Sequence, residues 1–75
     1  MTIVTLHPKM SYEIPAHVKT VQIGNTGASA GKYLLISPEG SKEQNINAGE
    51  TVTVSIPSSP ANIANMGETA LDLRL

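Results

Sequence analysis

The sequence predicts an all-β domain, either a small β-sandwich or a jelly roll or barrel of about seven to eight short, mainly antiparallel strands. Apolar residues alternate with polar ones at a period of two almost throughout the chain, as in half-buried strands. No window of about 11 residues carries the apolar stripe of a helix. Turn residues recur about every 8 to 12 positions, the spacing of sandwiches and jelly rolls. At 75 residues, positions 1–75 form a single domain.

Four strands are predicted in the first half of the chain. The second of them alternates until Pro15 ends it, which favours a half-exposed strand near a sheet edge, where proline is tolerated. Val18 lies out of phase with the rest of the third, which indicates a bulge or a strand covered on both faces. The fourth is apolar on both faces at its centre, so we expect it to be buried on two sides. The four segments are Thr2–Leu6, Met10–Ile14, His17–Ile23 and Lys32–Ser37.

The second half predicts three or four more strands. Lys42–Ile46 is polar and short, which indicates an edge strand. Thr51–Ile56 alternates cleanly, with three apolar side chains toward the core and hydroxyl side chains outward. A short strand around Ile63 follows the Pro57–Pro60 connection, and Leu71–Leu75 alternates to the last residue. The apolar side chains expected to face the core from Thr51–Ile56 are Val52, Val54 and Ile56.

A five-residue pattern occurs twice at a spacing of 40 positions. Ile23–Gly27 and Ile63–Gly67 share Ile, Asn and Gly at the same places, and an apolar strand follows each. Two interpretations are open: Asn and Gly are the ordinary turn residues, or the chain contains a duplicated strand–turn–strand unit. The first copy opens a loop of small and polar residues, in which we expect Gly27 and Gly31 to take positive φ.

The small size of the chain leaves little margin of stability. Surface scaling predicts a folded surface of about 4,400 Å², with roughly 7,000 Å² buried on folding. If about 60% of that area is apolar, burial contributes about 105 kcal/mol, against roughly 110 kcal/mol of conformational entropy. The chain has no cysteine for a disulfide. We therefore expect association with other subunits to supply additional stability.

Composition excludes several classes of partner. Five basic and six acidic residues are scattered singly, so no basic run could neutralise a row of phosphates. Without Trp or Phe, and with only two Tyr, base stacking is also poorly supported. The longest apolar run, Tyr33–Ile36, is far shorter than the roughly 20 residues of a membrane helix. The first ten residues lack the features of a secretory signal, so we expect cytoplasmic synthesis without export.

Residues able to perform chemistry are few. His7 and His17 are the only imidazoles, whereas a zinc site needs three or four ligands. No GxSxG motif or phosphate-binding loop occurs, and Ser58 and Ser59 lie between prolines as turn residues. We therefore expect no enzymatic activity, no metal site and no cofactor.

The segment from Gly49 resembles the second motif of the cupin jelly roll, with matches at Gly49, Pro57 and Asn65. Seven residues rather than five separate the Gly from the Pro, and Asn62 stands where the metal-binding His would be. The first cupin motif is absent. The resemblance implies jelly-roll strand pairing without a metal site.

Over its whole length the chain resembles small phage capsid decoration, or cement, proteins in size, composition and β pattern. This resemblance implies a virion structural protein, made in the host cytoplasm, that forms a homo-oligomer, a trimer or dimer, and docks on a lattice of major capsid protein. The apolar residues expected to make contacts lie on the first two strands, at one turn and at the last residue: Ile3, Val4, Leu6, Met10, Tyr12, Met66 and Leu75.

Two alternatives to the capsid interpretation stay open. One is a small carbohydrate-binding or adhesin-like module, for which Tyr12 and Tyr33 are the only aromatic platforms. We expect Tyr33 to belong to the core, which leaves Tyr12 as the better contact residue. The other is an accessory interaction domain without a virion connection, located in the cytoplasm or secreted.

Overall fold

A computed structural model describes residues 2–75 as two four-stranded antiparallel sheets packed face to face, which confirms the predicted all-β sandwich. The folded surface is 4404 Å², close to the value that chain length predicts. No helix of the kind that could cross a membrane is present in this range. In chain order the strands are β1 Ile3–Leu6, β2 Ser11–Ile14, β3 Thr20–Asn25, β4 Gly31–Ser37, β5 Gly40–Ile46, β6 Thr51–Ser55, β7 Ala61–Asn65 and β8 Leu71–Arg74.

The strands pair from the outside of the chain inward. Sheet A has the order β1-β8-β3-β6 and sheet B the order β2-β7-β4-β5. The first strand therefore pairs with the last, the second with the seventh, the third with the sixth and the fourth with the fifth. This is the strand pairing of a jelly roll. The predicted edge positions of Met10–Ile14 and Lys42–Ile46 are confirmed, because β2 and β5 are the two edges of sheet B.

The core lies between the two sheets and is aliphatic. Inward-facing residues of the central strands β3, β4, β7 and β8 supply most of it, as the period-two pattern requires. Half-buried apolar residues, most of them on edge strands, pack against the core. The buried apolar residues are Leu6, Ile14, Val21, Ile23, Tyr33, Leu35, Ile46, Ala61, Ile63, Leu71 and Leu73.

Four connections cross from one sheet to the other at the same end of the sandwich, which we call the loop end. They are residues 7–10, 26–30, 47–50 and 66–70. The strand registers place Leu6, Leu71 and Asn25 side by side at this end of sheet A. The turns 7–10 and 47–50 are only four residues long, so β1 lies close to β2, and β5 lies close to β6 on the opposite side.

The two copies of the five-residue pattern occupy equivalent places in the fold. Asn25 and Asn65 end β3 and β7, and both are buried. Asn65 donates from Nδ2 to the carbonyls of Leu6 (2.9 Å) and Thr69 (2.8 Å), and its Oδ1 accepts from the Gly67 N–H (3.0 Å). Asn25 makes the same three bonds 40 residues earlier, to Ile46, Ser29 and Gly27.

The equivalence extends beyond these loops. Adding 40 to the β1 residue Leu6 gives Ile46 of β5, and the four ladders β1:β8, β4:β5, β2:β7 and β3:β6 have matching registers. Lys9 (φ 69°) and Gly49 (φ 76°) hold the same left-handed turn position. Only the central ladders differ, because Asn65 faces Tyr33 whereas Asn25 faces Leu71. The structure therefore supports a duplicated unit related by an internal pseudo-two-fold axis.

Three sequence predictions about local structure are wrong. The third strand starts at Thr20 rather than His17, because Val18 belongs to a turn in which its N–H donates to the Pro15 carbonyl (3.0 Å). β4 is buried on one face only, since Ile36 on its other face is 39% exposed.

The prediction for Gly27 and Gly31 also fails, because neither has a positive φ. Gly27 is needed for space instead, since a Cβ there would collide with the Thr69 side chain. At the equivalent Gly67, a Cβ would come within 2.8 Å of the Lys32 backbone nitrogen.

Candidate interaction surface

Most of the residues predicted to make contacts lie on or next to the edge strands β1 and β2, which form the side of the sandwich that we call the closed side, whereas Met66 follows β7 and Leu75 follows β8. Val4, Tyr12 and Leu75 are half-buried and pack against the core of their own chain. Leu6 is 1% exposed, so its side chain has no surface to offer a partner. Ile3, 59% exposed, points outward from sheet A beside Arg74.

Met10 and Met66 both lie at the loop end although 56 positions separate them, because Met10 precedes β2 and Met66 follows β7. The Asn65 N–H donates to the Met10 carbonyl (2.9 Å), and the Lys9 N–H donates to the Asn65 carbonyl (3.0 Å). The Asn65 backbone thus bonds to Met10 and to the preceding Lys9, and Met66 follows Asn65 in the chain. Each methionine is about half exposed. Unbranched methionine side chains adapt to irregular surfaces, so these two exposed side chains at one end of the sandwich offer apolar contacts, and we call the pair the methionine patch.

A shallow depression of about 500 Å³ adjoins the methionine patch. Lys32 and Glu68 supply charged groups to its wall, and Asn45 and Asn47 supply amides. The Met66 N–H donates to the Lys32 carbonyl (2.9 Å), which joins the patch to the start of β4. This combination of apolar patch and polar rim is typical of protein–protein contacts.

The opposite side of the sandwich, formed by β5 and β6, carries an open cleft. Its volume is about 430 Å³, and we call this the open side. Leu35 and Val54 form an apolar base, and Lys42 and Gln44 stand on the rim. Tyr33 also lines the cleft, and burial raises the pKa of its phenol above the ordinary value.

Sequence reasoning missed the outer face of sheet B as a surface. Leu34 is half-buried and Ile36 exposed there, beside Ala64 on the neighbouring strand. A salt bridge between Lys32 and Glu43 (3.7 Å) borders this apolar strip, and both partners are largely exposed. The apolar residues on both faces of β4 are the sequence signal for this surface, but the same pattern predicts a strand that is buried on both faces.

The groups with potential for catalysis or metal binding do not converge. His7 lies in the 7–10 turn at the loop end, whereas His17 lies between β2 and β3 at the other end. Within residues 2–75 no group of three or more His, Cys, Asp or Glu could hold a metal ion. Asn62, at the cupin metal position, is half-buried on the outer face of β7, opposite Glu13.

Comparison of the chain with protein-family models, with characterised proteins and with solved structures found no match.

Proposed function

We propose that this protein is a non-enzymatic virion decoration subunit that forms a homo-oligomer and stabilises a lattice of major capsid protein. The observation that carries the proposal is the methionine patch, in which Met10 and Met66 are exposed at the loop end beside the buried Asn65. Unbranched methionine side chains adapt to irregular protein surfaces. Exposed apolar groups at the loop end suit a partner that is itself a large protein surface.

The mechanism requires no chemistry. A subunit that binds across neighbouring capsid proteins binds only the assembled lattice, so it stabilises the assembled state by mass action. At a free concentration of 100 times Kd, the gain is about 2.7 kcal/mol per site. The small marginal stability predicted for an isolated chain is compatible with a protein that works in an assembly.

A co-sedimentation experiment with empty shells tests the proposal. The genome around the gene for this chain is first searched for a major capsid protein gene; empty shells are assembled from that protein, and the chain is added to them. We expect binding, and a rise in the temperature at which the shells disassemble. The double variant Met10→Ser, Met66→Ser should weaken binding at least tenfold, roughly the loss of one buried apolar side chain.

Ile36→Ser is the matched control, because Ile36 is also a large exposed apolar residue but lies on the outer face of sheet B. It should bind like the unmodified chain. Absence of binding to shells would refute the decoration function. Loss of binding on Ile36→Ser alone would move the contact surface to sheet B.

The open cleft supports a second candidate, a carbohydrate-binding module. Hydroxyl, amide and amino side chains line the cleft beside the buried Tyr33, and such polar groups can bond to sugar hydroxyls. A glycan array tests this candidate directly. Binding that Gln44→Ala abolishes would favour it over the decoration function, and an empty array would remove it.

A further inference from the structure

We infer that a second copy of this chain pairs with the β6 edge of sheet A across a two-fold axis, so that two four-stranded sheets join into one sheet of eight strands. This inference deepens the homo-oligomer part of the proposed function and rests on it, while binding to a capsid can fail independently. Its basis is a comparison of the four edge strands, β1, β2, β5 and β6.

The backbone groups of β6 that face away from the sheet can be identified from its register. The Ile56 N–H donates to the Lys19 carbonyl, and the Asn25 N–H donates to the Glu50 carbonyl, each at 2.9 Å. Because hydrogen-bonded pairs alternate along an antiparallel ladder, Val52 and Val54 also bond to β3. The residues between them direct their N–H and C=O groups outward, and these are Thr51, Thr53 and Ser55.

The two edge strands of sheet B carry charged residues that oppose pairing with another strand, and β6 carries none. On β2 the outward groups belong to Ser11 and Glu13, and Pro15 follows. On β5 they belong to Ser41, Glu43 and Asn45. Self-pairing of either strand about a two-fold axis would bring carboxylates close together, an arrangement that destabilises strand pairs.

No charged residue lies on β6 or opposite it on the outer face of sheet A. The outer-face partners of Thr51, Thr53 and Ser55 on β3 are Gly24, Gln22 and Thr20. No like charges therefore oppose each other when two copies meet about an axis at Thr53. An uncharged edge of five residues without proline is the kind of strand that accepts another strand.

The β6 sequence TVTVS reads nearly the same in both directions, which favours a second copy over another peptide. Antiparallel pairing about Thr53 sets Thr51 opposite Ser55 and Val52 opposite Val54 of the other copy. Hydroxyl side chains meet on the outer face, and half-buried valines meet on the inner face beside the cleft. The three outward residues exchange about six backbone hydrogen bonds with their counterparts.

β1 is the competing edge, but it is less self-complementary. The Leu75 N–H donates to the Thr2 carbonyl (2.9 Å), so the outward residues of β1 are Ile3 and Thr5. Pairing about Val4 would set Ile3 opposite Thr5 and form fewer hydrogen bonds. Thr5 also faces the charged Asp72, whose carboxylate accepts from its hydroxyl at 3.4 Å.

Sedimentation equilibrium of the purified chain tests the inference. We expect a mass twice the 7.9 kDa of the monomer at high micromolar concentration. Thr53→Lys sets two like charges together on the two-fold axis and should raise the dimer Kd at least about tenfold. The matched control Thr5→Lys places the same charge on the other edge of sheet A and should leave the dimer intact.

A cysteine cross-link supplies a second measurement that does not depend on the lysine variants. The chain has no cysteine, so Thr53→Cys introduces the only thiol. Hydrogen-bonded partners have Cα atoms about 5.5 Å apart, within the range of a disulfide. Mild oxidation should give a covalent dimer of Thr53→Cys with unchanged circular dichroism, and little dimer of Thr5→Cys.

Each outcome decides between the possibilities. A monomeric unmodified chain, or equal cross-linking of the two cysteine variants, overturns the inference. Dissociation by Thr5→Lys but not by Thr53→Lys would assign the contact to β1 and also overturn it. A β6 dimer that does not bind shells would refute the capsid function alone, whereas a monomer that binds shells would refute only the β6 pairing.

Discussion

The closed and open sides of the sandwich are built from equivalent residues of the two repeats, yet the open side carries a cleft between its two edge strands. On the closed side, Val4 and Tyr12 pack against the core, and Ile14 is buried. Their equivalents 40 positions later on the open side are Gln44, Val52 and Val54.

A polar side chain thus replaces Val4, and smaller side chains replace Tyr12 and Ile14. The cleft of about 430 Å³ lies where this replacement occurs. A duplicated fold can therefore keep its backbone pairing while the side chains at the edge of one copy leave a cleft. The buried asparagine turns, in contrast, are the same in both repeats, so they mark what the fold cannot vary.

Removal of either buried asparagine should give the largest effect. Asn65→Ala deletes three hydrogen bonds and leaves the buried Leu6 carbonyl without that donor, and Asn25→Ala does the same to Ile46. We expect each variant to lose roughly 3 kcal/mol of unfolding free energy in urea titrations. Asn45→Ala, on the exposed β5 edge, is the control and should change stability by less than about 0.5 kcal/mol. A large loss from only one of the two asparagines would contradict their equivalence.

Exchange of equivalent residues between the closed and open sides should change the unfolding free energy by an intermediate amount, with opposite signs for the two variants. Val4→Gln places a polar group against the core on the closed side and should cost about 1 to 2 kcal/mol. Gln44→Val covers part of the cleft base and should add up to about 1 kcal/mol. Thermal unfolding of both variants measures the two changes in stability. Destabilisation by Gln44→Val would show that the cleft is maintained by contacts of Gln44 rather than left open by its polarity.

Substitutions at the left-handed turn position should change the stability least. Lys9 and Gly49 share this backbone conformation, which is strained for any residue with a Cβ. Lys9→Gly should therefore raise stability by about 0.5 to 1 kcal/mol, and Gly49→Lys should lower it by about 1 kcal/mol. Lys9→Ala removes the charge but keeps the strain, so its unfolding midpoint should match that of the unmodified chain. A gain from Lys9→Ala as large as that from Lys9→Gly would assign the effect to charge.

Much of the fold was predictable because its signals are local. Period-two alternation located all eight strands to within about three residues, and Pro15 and the charges of β5 identified two edges. The burial of β4 was not predictable in this way. Alternation shows which side chains share a face, but it cannot show whether another layer covers that face. Leu34 and Ile36 therefore look like core residues in the sequence and lie outside it in the structure.

The candidate surface was less predictable, because it depends on contacts between distant parts of the chain. Met10 and Met66 are isolated apolar residues in the sequence, and only the fold places both at the loop end, at the adjoining ends of β2 and β7. Leu6 has the same apolar character as Ile3, but the two lie three positions apart on β1, so side-chain alternation places Leu6 inside and Ile3 outside. The repeated Ile-x-Asn-x-Gly pattern was the one signal in the sequence that marked the loop end.

The strand order makes the two halves of the chain depend on each other for folding. Every one of the six ladders joins a strand that precedes the Pro38–Glu39 hairpin turn to a strand that follows it. Neither half of the chain can form a single ladder of this fold by itself. The domain is in effect an intertwined dimer of two short chains tethered by two residues, and the tether replaces a bimolecular encounter with a high effective concentration. A protein cut at this turn should survive only as two complementing fragments, with a stability that depends on their concentration.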